Sequence, residues 1–203
     1  KKPRRFIVAV LSGLAILIAS RQFIPFVDSI LWQGFATNEF ESAYGRIALL
    51  ERQGENYIYE NGRLTATSAD TLSSEQIIHP IAWAHPTPKR ILLIGGVFSG
   101  AIRDIQKHKV DKIVVPFPNK PLLKTGLSAL SAVRNSVAKG NVIIVDNEAR
   151  DVMLRDSTFD IIYLMPGVPS SGADNRFWTS EFFNIARSAL DTNGIIAAAL
   201  PVG

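Results

Sequence analysis

The chain has no cysteine and only three histidines in 203 residues. The first absence removes disulfides, thiolate nucleophiles and the thiolate ligand sets of the common zinc sites. The histidines are His79, His85 and His108, too scattered along the sequence to suggest a metal cluster, so no metal is expected. Internal repeats and low-complexity linkers are also missing, which excludes solenoid and disordered classes. Net charge is low at +4, and Lys1, Lys2, Arg4 and Arg5 supply that much by themselves. The balanced remainder gives no basic groove, so no nucleic acid is expected. What is present, at 47% hydrophobic residues, suffices for one ordinary core and a small appendage.

Long apolar runs are scarce, with one exception. Phe6 to Ala19, FIVAVLSGLAILIA, carries no charge and directly follows KKPRR. As a helix it would span about 21 Å, short of the roughly 20 residues that cross a bilayer core. Extension to Ile24, with Arg21 snorkelling to the interface, brings it close. A cleaved signal peptide and a buried helix share parts of this pattern. The abutting basic cluster favours a membrane anchor over residues 6–24, with its start in the cytoplasm and the following chain outside it. Phe23, Phe26, Trp32 and Phe35 read as an interfacial segment. The first residue is Lys1 rather than methionine, so further upstream helices are allowed for.

Three regions are expected: 1–36 as anchor and interfacial segment, 37–88 as a small β unit with a linking helix, and 89–203 as the main domain. In the second, Ile47–Glu51 and Tyr57–Glu60 are strand candidates, Asn61-Gly62 is a two-residue hairpin signal, and Ser73–His85 reads as a helix closed by Pro86 and Pro88. From Arg90 apolar strands alternate with helices. Strands are expected at Arg90–Ile94, Lys112–Val115, Asn141–Val145, Asp160–Leu164 and Ile195–Leu200, and helices near Gly100–His108, Lys120–Lys139, Ala149–Arg155 and Arg176–Leu190. Asn193-Gly194 reads as the stop between the last helix and the last strand. Such alternation predicts an α/β fold with a parallel sheet covered on both faces.

The stretch ILLIGGVFSGAIRD has the build of a nucleotide-binding strand, glycine turn and helix. Together with Tyr44-Gly45-Arg46, Asn61-Gly62, Glu75, His79-Pro80, His85-Pro86, Phe159-Asp160 and NRFWTSEFFNIARSALDTNG, in that order and spacing, the chain resembles the spermidine synthase family of aminopropyltransferases, especially bacterial members with membrane helices ahead of the enzyme domain. The resemblance covers nearly everything after residue 40. It implies a small β domain followed by a Rossmann-like, methyltransferase-type parallel sheet that binds decarboxylated S-adenosylmethionine, with aspartates that orient and deprotonate an attacking amine. It also implies a bacterial inner-membrane location, and the basic cluster KKPRR puts the folded domain on the extracytoplasmic side.

Several positions depart from the family pattern. Val97 and Ser99 replace glycines, leaving Gly95, Gly96 and Gly100 as a vestigial cofactor turn. Val97 is expected to strain any position that needs positive φ and to add bulk where a cofactor approaches. Phe117 stands at the ribose carboxylate and Asn119 two residues on, within PFPNKP, where Lys120 offers no acceptor. Asp146 or Glu148 either meets the adenine amino group or belongs to ordinary capping and surface pairing with Arg150. Met165 and Val168 occupy the two catalytic aspartate positions, and Ser73-Ser74 replaces a Tyr-His pair. Asp174 reaches the gap only through a rearranged loop.

On these losses the expectation is a non-catalytic, membrane-tethered domain serving as an assembly subunit, with no catalytic residue, no cofactor and other protein subunits as partners. An open sheet edge after Gly203 and the aromatics Phe177, Trp178, Phe182 and Phe183 would offer contacts. The alternative is an active aminopropyltransferase or methyltransferase using decarboxylated S-adenosylmethionine or S-adenosylmethionine, with substitute acids drawn from Asp146, Glu148 and Asp174. A third reading turns Val97, Phe117, Met165 and Val168 into an apolar ligand pocket.

Overall fold

The structure is a computed structural model that describes residues 11–13, 16, 19, 37–68, 74–156, 158–165 and 175–199. The expected membrane anchor over 6–24 lies almost wholly outside the described residues. Residues 11–13, 16 and 19 are helical. Among the described residues no helix is long and apolar enough to cross a membrane.

Four antiparallel strands come first: β1 (Thr37–Ser42), β2 (Gly45–Arg52), β3 (Glu55–Glu60) and β4 (Arg63–Thr67), in that spatial order. The Asn61-Gly62 turn forms as the sequence signals, with φ of 54° and 76°, the left-handed pair that matches strand twist. Asn61 also braces the neighbouring hairpin: its Oδ1 accepts from Arg46 N at 3.0 Å and its Nδ2 donates to Tyr44 O at 3.2 Å. A side chain at Gly45 would collide with this amide at 1.9 Å, so the brace needs glycine there. Ile47, Ile58 and Ala66 form the buried face. Sequence reading misses β1 because TNEFES has a single apolar residue; its hold comes from pairing with β2 and the Glu39–Arg46 ion pair.

Helix α1 (Glu75–Ala84) leads into the parallel sheet. The sheet comprises β5 (Arg90–Gly95), β6 (Lys112–Pro116), β7 (Val142–Val145), β8 (Phe159–Met165) and β9 (Leu190–Ala198) in the order β7-β6-β5-β8-β9. The helices are α2 (Ala101–Gln106), α3 (Lys120–Ala129), α4 (Ser131–Val137), α5 (Ala149–Arg155) and α6 (Ser180–Ala189). Strand alternation divides the core between two faces. Ile91, Leu93, Ile113 and Tyr163 pack with α2, α3, α4 and the small sheet. Leu92, Ile94, Val114 and Leu164 pack with α5 and α6. Buried Tyr163 crosses the first layer, its hydroxyl donating to Ile78 O of α1 at 2.9 Å, and burial pushes its pKa well up, keeping it a neutral donor.

Three element boundaries differ from expectation. The single helix expected over 120–139 breaks at Leu130, where φ −109° and ψ 89° leave the helical region, and Arg134 Nη1 donates to the freed Leu127 O at 3.1 Å. Helix α6 starts at Ser180 because Thr179 caps it, accepting from Phe182 N at 3.2 Å. Asn193-Gly194 lies inside β9, where pairing jumps from Phe159↔Leu190 to Ile161↔Ile195. The irregularity, not a helix stop, uses that glycine: a Cβ there would sit 2.8 Å from Leu190 and 2.9 Å from Phe159 O.

A polar clamp fastens α1 to α2. Asp104 is fully buried and receives Ser74 Oγ at 2.5 Å, Arg103 Nε at 3.0 Å and Lys107 Nζ at 2.9 Å. Burial works to raise its pKa, but the hydrogen bonds from Arg103, Ser74 and Lys107 outweigh it and hold the carboxyl below its ordinary 3.8. Lys107 also reaches Glu75 at 3.1 Å. Beside this network His79 Nδ1 meets His108 Nε2 at 2.7 Å, with Trp83 stacked on His79 at 5.6 Å. The histidines expected to be scattered are therefore partly gathered, because the interhelix contact, not the sequence spacing, sets their distance. Burial, then the neighbouring His79 and Lys107, push His108 below 6.5.

Two outcomes follow from the clamp. Asp104→Ala removes the buried acceptor shared by Ser74, Arg103 and Lys107 and should cost about 1–3 kcal/mol in urea unfolding, and a loss under about 0.5 kcal/mol would refute the clamp's role. Folded His108 binds a proton less readily than the unfolded chain. Stability should accordingly fall as pH drops below 6.5 and through the depressed folded value. His108→Asn should flatten that slope in thermal melts taken across the window, and an unchanged slope would assign it to another group.

Candidate active site at the carboxyl ends of the central strands

The strand order reverses between β5 and β8, and such a reversal opens a crevice beyond the strand ends. Gly95 ends β5 opposite Met165 of β8, and the turn that follows holds Gly95, Gly96 and Gly100 at φ of 76°, 64° and 87°. Only glycine takes these values without strain. Gly96 is also a close approach: a Cβ would lie 3.1 Å from Met165 Sδ and 3.2 Å from its Cβ. Met165 thus stands against the turn, at the place where the sequence put a missing acid. Val168 and Asp174 lie outside the described residues.

The expected damage from Val97 does not occur. Val97 is absent from the residues with positive φ, and its side chain is buried at 2% exposure in the core beneath α2–α4. Its bulk fills that core because the three remaining glycines take all the left-handed positions of the turn. Ser99 Oγ donates back to Gly96 O at 2.8 Å, which makes it a turn residue.

At the end of β6, Phe117 extends the sheet through its N–H to Val145 O at 2.9 Å and packs on Phe98, ring centroids 5.6 Å apart. Asn119 caps α3, its Oδ1 accepting from Leu122 N at 3.2 Å. Its Nδ2 donates to Glu60 Oε1 at 2.7 Å. Sequence reading placed Glu60 at a strand end but not at the site; it sits 59 positions upstream of Asn119 in another sheet, and only the strand and the adjacent Asn61-Gly62 turn signalled that its backbone is fixed.

Asp146 pairs with Lys120, and Glu148 with Arg176 at 3.0 Å. Glu148, not Asp146, is the residue before α5, and it makes no side-chain cap. Arg150 donates to Arg176 O at 3.1 Å and Thr179 Oγ1 at 3.2 Å, tying α5 to the segment ahead of α6. Phe182 is buried and Phe177, Trp178 and Phe183 pack around its cluster, so these aromatics belong to the core. Ligand atoms of Glu75, His79 and Asp104 lie within 4.8 Å of one another, but Arg103 and Lys107 already satisfy the carboxylates. A cleft of about 230 Å³ opens between the small sheet and α2–α4, lined by Asn56, Ser68, Val97, Phe98, Arg103 and Val133 among others. It shares Val97, Phe98 and Gly100 with the turn that follows β5, whereas Phe117, Asp146, Glu148 and Met165 do not line it.

Gly96→Ala should destabilise by about 1–2 kcal/mol through its left-handed φ, with the Met165 contact adding to it. Pairing it with Met165→Ala should relieve the contact alone. Urea unfolding of the single and double variants checks this: complete rescue would mean that φ carries no cost, and no coupling would mean that Met165 does not press on the turn.

The spermine/spermidine synthase domain family matches residues 71–199. A polyamine aminopropyltransferase of Leptospira interrogans is 26% identical over 193 residues, covering 90% of this chain and 39% of that protein. A spermine synthase of Saccharomyces cerevisiae is 28% identical over 193 residues, 86% of this chain and 59% of that protein. A thermospermine synthase of Arabidopsis thaliana is 28% identical over 184 residues, with shares of 87% and 52%. The chain spans about half the length of the curated relatives it matches. Its fold is similar to the crystal structure of spermidine synthase from Thermotoga maritima, with a TM-score of 0.70 and 22% identity over 81% of this chain and 57% of that one. A spermidine synthase in complex with the transition state analogue AdoDATO gives 0.72 and 22% identity over 81% and 58%. A match across 71–199, laid over the glycine turn and the reversal of strand order, carries the assignment: the chain belongs to the spermine/spermidine synthase domain family.

Proposed function

We propose that the chain is the nucleoside-binding and transfer core of an aminopropyltransferase, taking decarboxylated S-adenosylmethionine above Gly95 and Gly96 and a polyamine as acceptor. The carrying observation is the family match over 71–199, which spans the glycine turn, the β6 end and the strand that ends at Met165. In the reaction a neutral amine attacks the aminopropyl carbon bound to sulfonium. A C–N bond forms, the C–S bond breaks with its electron pair retained by sulfur, and the amine's surplus proton leaves to a base. The thioether product is 5′-methylthioadenosine. The crevice would take the nucleoside half where the turn at Gly95 presents backbone without a side chain, beside the Met165 that packs on Gly96. Asp146 or Glu148 would meet the adenine amino group, and the attacking amine needs a carboxylate to orient it and take its proton.

The non-catalytic assembly subunit with no cofactor, expected from the substitutions, is corrected. Relatives that align with 86% and 90% of the chain are named as a spermine synthase and a polyamine aminopropyltransferase. The expectation erred physically by treating each replaced residue as a lost group. Val97 turned out to lie in the core and outside the left-handed positions of the turn. A carboxylate stands beside the β6 end although the sequence there has none.

Incubating the intact protein with decarboxylated S-adenosylmethionine and putrescine, then spermidine, tests the proposal by chromatography of the products. Methylthioadenosine and the extended polyamine should appear in equal amounts. Absence of both, together with no saturable binding of the donor in calorimetry, would overturn it.

A further inference from the structure

Parallel-sheet nucleotide sites hold a ribose with a carboxylate near the end of the second strand, because two hydroxyl donors are best met by an ionised acceptor with two oxygens. Here the second strand is β6, and the residues beyond it, Phe117, Pro118, Asn119 and Lys120, include no acid. Glu60 nevertheless reaches this point from the last position of β3, accepting from Asn119 Nδ2 at 2.7 Å.

Its placement is built. Asn119 is buried at 6% exposure, and its amide has one workable orientation: with Oδ1 on Leu122 N, Nδ2 must face Glu60, and the flipped amide would set donor against donor and acceptor against acceptor. Strand β3 is pinned to α3 at both ends, by Glu60 on Asn119 and by Asn56 Nδ2 donating to Ala129 O at 3.1 Å. The two spans agree, about 13 Å for four strand steps and about 15 Å for ten helical residues. The rigid Asn61-Gly62 turn follows at once. Being next to the N-terminus of α3 favours a negative charge there.

We infer that Glu60 is the acceptor for the ribose diol of the nucleoside, delivered from the small sheet, with Asn119 as its positioning residue. The inference rests on the proposed function. It makes the small sheet part of the nucleoside site, so that ligand binding spans both sheets.

Calorimetric titration of the intact protein with 5′-methylthioadenosine and with its 2′-deoxy counterpart tests it. The unaltered protein should prefer the ribonucleoside by about tenfold or more, the scale of a charge-assisted hydrogen bond. Glu60→Gln should lose most of that preference, and an unchanged affinity for the 2′,3′-dideoxy counterpart, which offers Glu60 no hydroxyl, controls for folding. Asn119→Ala should act in the same direction. A preference that survives Glu60→Gln undiminished would overturn the role of Glu60 and leave the proposed function intact. Failure of the unaltered protein to bind either nucleoside would instead overturn the function itself, and the inference with it.

Discussion

The buried carboxylate of Asp104 ties the parts of this molecule together. An ion with no solvent contact persists only if its hydrogen bonds replace water, and Asp104 recruits them from Ser74 ahead of α1 and from Arg103 and Lys107 around α2. Its own N–H bonds Gly100 O, so the same residue closes the first turn of the helix that leaves the glycine turn. Gly100 takes part sterically, since a Cβ there would lie 3.2 Å from Ser74 Oγ. The helix of the linking segment and the turn of the candidate site are therefore one polar unit, set on an apolar layer shared by Ile47, Ile58, Ile91 and Leu93.

What could be read from sequence tracks how locally each feature is encoded. All five parallel strands were anticipated, because strands buried on both faces read as uninterrupted apolar runs such as RILLIG and FDIIYLM. The Asn61-Gly62 turn was legible for a similar reason, its chemistry being carried by two residues. Strand β1 was not, since TNEFES has no apolar alternation and owes its place to its partner. The break at Leu130 escaped because nothing there is a helix breaker; it follows from burial of Leu130 among α3 and α4, where Gly126 makes room for the Phe98 ring. Contacts such as His79 with His108 or Glu60 with Asn119 join separate elements and have no signature in either segment.

The candidate site shows the same limit from the side of chemistry. Its glycines form a turn, as expected, and Met165 stands against that turn. Inferring lost function from replaced residues went wrong because a catalytic requirement is a requirement on a point in space. A position one residue away in the turn, Val97, lies in the core and takes no left-handed backbone conformation. A position in another sheet, Glu60, supplies charge where the aligned residue is aromatic.

Delivery of an acid across two sheets has a physical cost and a corresponding return. A carboxylate on the β6 loop would be held by one short segment, whereas Glu60 is held only while β3, α3 and their shared core are all in register. Asn56 and Asn119 provide that register at the two ends of α3, and Ile58 between them is fully buried against the parallel-sheet domain. Slippage of β3 by one residue would turn Ile58 outward and Glu60 away together, so the hydrophobic pattern that fixes the strand also fixes the charge. The precision of the site is thereby inherited from the core: an acceptor group on a polar strand end becomes as well placed as the apolar residue two positions before it.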